Sequence, residues 1–285
     1  MRPVLDQTAI GAAFAQPDND GTFSGAYGEY LRNVAARRPA VIFAFPPKAA
    51  GTFLRAAAIE AVGGQLVRVV HAQGGRDAQP YLPIFLSYYL GGISKETLVT
   101  HLHMQALPAN RRFVEALDLK PVIMLRPIAD MLASYKEMLE ADVRARSEGL
   151  NCTIPAAFPE FSNDRKADYL VDILGPWYAN YFATWLDYAR EQPDRVCILN
   201  YSQFLRDPAE TLAAALHHAR VPQPIELCRK AIDAVWKERS EHRFNRGVEG
   251  RGRESFTWRH TDRLARMLDY YGVAESESGY LLGGH

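Results

Sequence analysis

Cysteine is scarce in this sequence: three residues among 285 (Cys152, Cys197 and Cys228), widely spaced, odd in number and without a CxxC pair. That excludes a disulfide framework and a cysteine zinc site, and a reducing cytoplasm is the expected location. Long apolar runs are missing too. No stretch approaches the roughly 18 apolar residues of a membrane span, and the start, Met1-Arg2-Pro3-Val4-Leu5-Asp6-Gln7, lacks the apolar run of a secretory leader. There is no excess of either charge, since 33 Lys and Arg balance 33 Asp and Glu. A field that would draw the whole molecule to nucleic acid or an anionic membrane is thereby excluded, and any anion site must be local. Repeats, low-complexity tracts and linkers long enough to divide the chain are also lacking. What remains is a chain 48% hydrophobic and 23% charged, enough to bury a core without staples. It reads as one domain over 1–285, with a loose Gly-, Asp- and Asn-rich lead-in over 1–25.

Three short runs are apolar without alternation, the mark of strands buried on both faces. They are Ala40–Phe45, Pro121–Leu125 and Val196–Leu199, and 66–70 and 97–100 are weaker candidates. Helical patterns follow the three main runs at 52–62, 128–143 and 202–219. Strand–helix alternation at this spacing predicts an α/β fold, a central parallel sheet flanked by helices on both faces. Residues 144–168 and 239–256 read as loops, and 258–271 as a closing helix. In such sheets ligands bind beyond the carboxyl ends of the strands, so the residues after each strand matter most.

The first strand runs into Pro46-Pro47-Lys48-Ala49-Ala50-Gly51-Thr52-Phe53. Unpaired N–H groups at a helix start cradle phosphate, and small residues let an anion approach them. Lys48 adds a full charge. The nucleotide P-loop needs Lys directly before Ser or Thr at the helix start, which this turn lacks. Taken alone, the stretch is equally a strand–turn–helix with a surface Lys and a Thr cap. After the central strand comes Arg126, whose guanidinium can fork onto a phosphate. Ser134, eight residues on, falls roughly on the same side. Before that strand stand His101 and His103, at alternate positions that share a strand face. No third ligand has fitting spacing, so a metal is not expected. Trp177, Tyr181, Trp185 and Tyr188 form an apolar helical stripe, read as core.

These segments together resemble the PAPS-dependent sulfotransferases, of cytosolic type. Lys48 to Phe53 matches their 5′-phosphosulfate loop, usually Pro-Lys-Ser-Gly-Thr-Thr-Trp. Arg126, Asp130, Ser134 and Tyr135 fall in register with Arg-Asn/Asp-Pro/Ala-x-Asp-x-x-x-Ser-Tyr. Thr100-His101-Leu102-His103 stands where the family has Thr-His-Leu-Pro. Leu199 to Pro208 resembles Leu-x-Tyr-Glu-Asp-Leu-x-x-Asp-Pro, and Asn245 to Gly252 resembles the Arg-Lys-Gly-x-x-Gly loop. The resemblance spans roughly residues 40–255 with motif order kept.

The resemblance implies a P-loop-like sulfotransferase fold and transfer of a sulfuryl group from 3′-phosphoadenylyl sulfate (PAPS) to an acceptor hydroxyl, with PAP as product and no metal. Lys48 would contact the transferring group, and Ala49, Ala50, Gly51 and Thr52 would hold the 5′-phosphate. Phe53 and Tyr201 would lie at the adenine. Arg126, Ser134, Arg246 and Gly247 would hold the 3′-phosphate, with Arg243 or Arg251 standing in for the Arg missing at Asn245. His101 would be the base for the acceptor, a role His103 could share. The acceptor, whether small molecule, glycan or lipid, and the oligomeric state are not specified. Pocket candidates are the loops 71–95 and 144–168. Tyr81, Phe85, Tyr88 and Tyr89 in the first are read as core packing. A P-loop-type kinase of a small molecule or nucleotide, and a non-catalytic nucleotide-binding module, stay open as alternatives.

Overall fold

The apolar runs pair side by side; those at 40–43, 98–101 and 121–125 are covered on both faces, whereas the run expected to be buried at 196–199 is half covered, with Ile198 42% exposed. The computed structural model describes residues 39–70, 79–80, 84–85, 97–141, 154–238 and 247–284, with 29, 33 and 36. Among them are five strands: β1 (Ala40–Phe43), β2 (Gln65–Leu66), β3 (Leu98–His101), β4 (Pro121–Leu125) and β5 (Cys197–Asn200). All pair in parallel, in the order β2-β3-β1-β4-β5. Parallel neighbours need crossovers, and helices supply them: α1 (Gly51–Val62), α2 (Pro108–Ala116), α3 (Ile128–Ala141) and α4 (Asn163–Glu191). After β5 come α5 (Tyr201–Arg206), α6 (Pro208–His218), α7 (Ile225–Lys237), α8 (Gly252–Ser255), α9 (Trp258–Tyr270) and α10 (Glu275–Leu281). The helices pack in two sets, α7 on α1 and α6, and α4 on α3 and α9, around a core shared with the sheet.

The expected α/β architecture is present, with local corrections. The apolar run of β1 stays buried to Phe45, but its ladder pairing ends at Phe43. Residues 66–70 pair with β3 only at their start, and Val70 instead bridges antiparallel to Pro80. The helix expected over 202–219 is two helices. Pro208 disfavours helical geometry at the residue before it, so Asp207 (φ −142°) ends α5 and its side chain caps Glu210 N–H of α6 at 3.0 Å. The loop expected over 144–168 already turns helical at Asn163, capped by Ser162. Its polar first turn hid the periodicity. The lead-in 1–25, the segment 144–153, Arg243, Asn245, Arg246, Tyr81, Tyr88 and Tyr89 lie outside the described residues.

Topology picks out one edge of the sheet. β1 lies between β3 and β4, and the chain leaves β1 on one side and returns on the other. Phe43 pairs with His101 on one flank and with Val122 on the other. The carboxyl ends of β3, β1 and β4 thus adjoin at the point where strand order reverses, the place such sheets use for ligands.

Candidate functional site

The turn after β1 carries two non-glycine residues in left-handed backbone, Lys48 (φ 65°) and Ala50 (φ 62°). Each such residue costs about 1 kcal/mol or more, and such strain persists only where surroundings enforce it. The enforcers are visible. Tyr178 of α4 donates to the Pro47 carbonyl at 3.1 Å, and Tyr181 donates to the Ala44 carbonyl. Arg126 donates through Nη1 to the Lys48 carbonyl at 2.5 Å. Ala50 then serves as N-cap of α1 without a side chain able to cap, so no N-cap side chain blocks the first amides of the helix.

His101 closes β3 and leans on this turn. A Cβ at Gly51 would lie 2.2 Å from its Nε2 and 2.5 Å from its Cε1, so glycine is there for space. The imidazole is 8% exposed, edge-on to Phe45 and 5.2 Å from the ring of His103. The loop after β3 is held by the same long helix: Trp185 donates to the Met104 carbonyl at 2.7 Å, and Asn180 to Gln105 at 2.8 Å. Tyr181, Trp185 and Tyr188 of the aromatic stripe are core, as the spacing implied, with Trp177 half-buried beside them, and the polar tips of Tyr181 and Trp185 also fix the loops after β1 and β3. Burial drives the Tyr181 phenol well above its usual pKa, so it stays a neutral donor.

Arg126, just past β4, is 5% exposed. Its guanidinium lies 4.0 Å over the Tyr201 ring, its Nη2 is 3.5 Å from the Val248 carbonyl, and its Nε has no hydrogen-bond partner among the described residues. Burial raises the Tyr201 pKa, against the opposing pull of Arg126. Ser134 is buried in α3. The Lys48 ammonium lies 3.8 Å from Met138 Sδ of the same helix. Lys48, Gly51, His101, Arg126 and Tyr201 therefore form one connected neighbourhood. Gly247 (φ 58°) opens a loop that folds back over Arg126, whereas Arg246 is outside the described residues. Arg251 pairs with Glu137 of α3.

Two placements were not visible beforehand. Phe53 is fully buried, edge-on to Phe204 and Trp236, and the exposed ring of that cluster is Trp236 (41%). Asp130, in register with the motif but given no task, holds the loop of Gly247 by two amides. Among the described residues no group of three or more His, Cys, Asp or Glu is arranged to hold a metal ion, and no helix is long and apolar enough to cross a membrane.

No family model and no curated protein matches the sequence. Solved structures do match in shape. Mouse sulfotransferase SULT7A1 complexed with PAP aligns with a TM-score of 0.61, over 92% of this chain and 95% of that one, at 14% identity. Retinol dehydratase with androsterone and inactive cofactor PAP aligns at 0.46 and 12% identity, over 87% and 85% of the two chains. Its complex with retinol and PAP aligns at 0.44 and 12%, over 87% and 86%. The chain shares its fold with the mouse enzyme.

Proposed function

We propose that this chain is a PAPS-dependent sulfotransferase, one domain acting on a hydroxyl-bearing acceptor to be sought among small molecules, glycans and lipids. The observation that carries the reading is the meeting of Lys48, His101 and Arg126 at the ends of three adjoining strands. The mouse sulfotransferase of the same fold was solved with PAP, which supports the donor class.

The residues fit such a donor. The start of α1 has no side-chain cap, and the buried Nε of Arg126 has no hydrogen-bond partner among the described residues. When bound, the donor supplies the sulfuryl group and a phosphate as leaving group. The amides from Ala49 to Phe53, with the Thr52 hydroxyl, would hold the 5′-phosphate. Lys48 would stabilise charge on the oxygen between phosphorus and sulfur as that S–O bond breaks. His101 would take the proton of the acceptor hydroxyl as its oxygen bonds to sulfur, a task suited to an imidazole near neutral pH. Arg126 and Ser134, together with Arg246 and Gly247, would hold the 3′-phosphate. Tyr201 supports Arg126 from below, and the exposed Trp236, beside the buried Phe53, is the ring available to the adenine. A metal has no part in this reading.

The test is calorimetric titration of the purified protein with PAP, beside Mg-ATP. Micromolar PAP binding, lost in Arg126→Ala and largely kept in His101→Ala, is the expected result. Binding of Mg-ATP in place of PAP would overturn the reading in favour of a kinase.

A further inference from the structure

Residues 247–252 lie against the start of α3, and the contact is made by Asp130. Its carboxylate is 2% exposed and accepts two backbone amides, Gly250 N–H through Oδ2 at 2.9 Å and Gly252 N–H through Oδ1 at 2.7 Å. An Asp in the first turn of a helix is favoured by the helix dipole wherever it sits. That does not explain why this one is buried or why both oxygens are used by amides about 120 residues away. A carboxylate is acceptor-only and offers two oxygens, so two converging N–H groups suit it, and such bonds are stronger than neutral ones. The loop is shaped for the contact. Gly250 has φ 83°, and a Cβ at Gly252 would lie 2.5 Å from the Ala129 Cβ and 2.9 Å from the Asp130 nitrogen. Arg251 pairs with Glu137, and Ser202 donates to Glu249 at 2.5 Å, with Tyr280 of α10 3.2 Å from the same hydroxyl. Beneath the loop Arg126, four residues before Asp130 in sequence, reaches the Val248 carbonyl.

We infer that Asp130 is a positioning residue for the nucleotide: by gripping the amides of Gly250 and Gly252 it holds the 247–252 loop closed over Arg126, so that the 3′-phosphate subsite exists before the nucleotide arrives. The inference rests on the donor reading above. Closing a loop only on binding would charge its ordering against affinity, whereas a loop already tied down avoids that loss. Asp130 touches no nucleotide in this scheme; it acts through the loop.

The consequence is specific to one phosphate. The start of α1, where the 5′-phosphate would lie, does not depend on Asp130, but the 3′-phosphate side does. The experiment compares the full-length wild type with Asp130→Asn, which keeps one acceptor oxygen, and with Asp130→Ala. It measures amide hydrogen exchange over 248–253 and affinity for PAP and for AMP, which lacks the 3′-phosphate. Exchange over 248–253 is expected to quicken, with α1 amides unchanged. PAP affinity should fall roughly 10- to 100-fold in Asp130→Ala, as for loss of one or two charge-assisted bonds, and less in Asp130→Asn. AMP affinity should stay within about 3-fold of wild type, since a general loosening of the fold would weaken both nucleotides. If Asp130→Ala does not fold, Asp130→Asn carries the same comparison. Wild-type exchange in the loop of a folded variant would overturn the tether. A faster loop with unchanged PAP affinity, or equal loss for PAP and AMP, would overturn the positioning role. Absence of PAP binding by the wild type would instead sink the donor reading, and the positioning role with it, while loop exchange would still decide the tether.

Discussion

Gly51→Ala separates the His101 position from the rest of the site. The added Cβ would meet three atoms of the imidazole, Nε2 at 2.2 Å, Cε1 at 2.5 Å and Cδ2 at 2.7 Å. Relaxing the shortest of these to an ordinary contact of about 3.5 Å requires a ring displacement of roughly 1 Å. The ring is buried and hemmed by Phe45 and His103, so it cannot swing into open space. Overpacking of this kind costs about 1–3 kcal/mol. Against it, exchanging Gly for Ala returns up to about 1 kcal/mol through helix propensity and a less flexible unfolded chain. The net cost is about 0–3 kcal/mol, a fall in Tm of at most about 5 °C for a chain of this size. The Cβ points at His101, so the Gly51 amide stays available and PAP binding should change by less than about 3-fold. Transfer should fall far more, since about 1 Å of misplacement can cost on the order of 100-fold. The assays are histidine side-chain NMR with 13Cε1 label, PAP calorimetry, and transfer from labelled PAPS once an acceptor is found. An unmoved His101 resonance would refute the steric argument. A loss confined to PAP affinity would show that the substitution acts on the amides of the turn and not on His101.

Ala50 holds φ 62° and ψ 14°, so Ala50→Gly relieves about 1 kcal/mol of left-handed strain while losing a similar amount to unfolded-state freedom. Denaturant unfolding should show stability unchanged or raised by up to about 1 kcal/mol; a loss of about 1 kcal/mol, usual for Ala→Gly within a helix, would show the strain is not there. His218 at the end of α6 has its pKa pushed down by burial, with Lys120 and Arg220 adding to the shift against the Arg195 carbonyl 3.1 Å away. With the folded pKa below the unfolded one, the unfolded state binds more protons as pH falls below about 6.5, and stability drops from there until the folded pKa is passed. His218→Gln should flatten the fall in denaturation midpoint between about pH 7.5 and 5.5, and an unaltered slope would assign that fall to other groups.

Lys48, His101 and Arg126 could be read before any fold was known because each ends or follows an apolar run. A run buried on both faces is visible as composition, and in a parallel sheet the residues beyond such runs gather at one edge. Limits came close for three of the five runs: β4 is found where expected, and β3 and β5 are displaced by one residue, whereas β1 pairs two residues less far than its run and 66–70 pairs only at its start. What stayed hidden were partners far apart in sequence. Nothing local to Asp130 announces Gly252, and nothing near Ser202 announces Tyr280. Helical spacing marked the face of α4 that carries Tyr181 and Trp185 as buried, but periodicity is silent on where a phenol or indole tip ends, here on the carbonyls of Ala44 and Met104. Trp236 escaped for the converse reason, since an exposed aromatic at the end of an amphipathic helix looks like any other surface residue.

The turn itself shows how two demands on one glycine are decided. The sulfotransferase loop that this turn resembles has Gly at the position of Ala50 and Thr at the position of Gly51, so this chain carries its glycine one residue later. Position 50 has a conformational demand, a left-handed backbone, which alanine meets at a cost of about 1 kcal/mol. Position 51 has a steric demand, because any Cβ there falls within 2.2 Å of the His101 ring. Strain at 50 is local, in a turn that Tyr178 and Arg126 hold by the carbonyls of Pro47 and Lys48. Overlap at 51 could be relieved only by moving His101. With one glycine to place, keeping the imidazole against this turn requires it at 51.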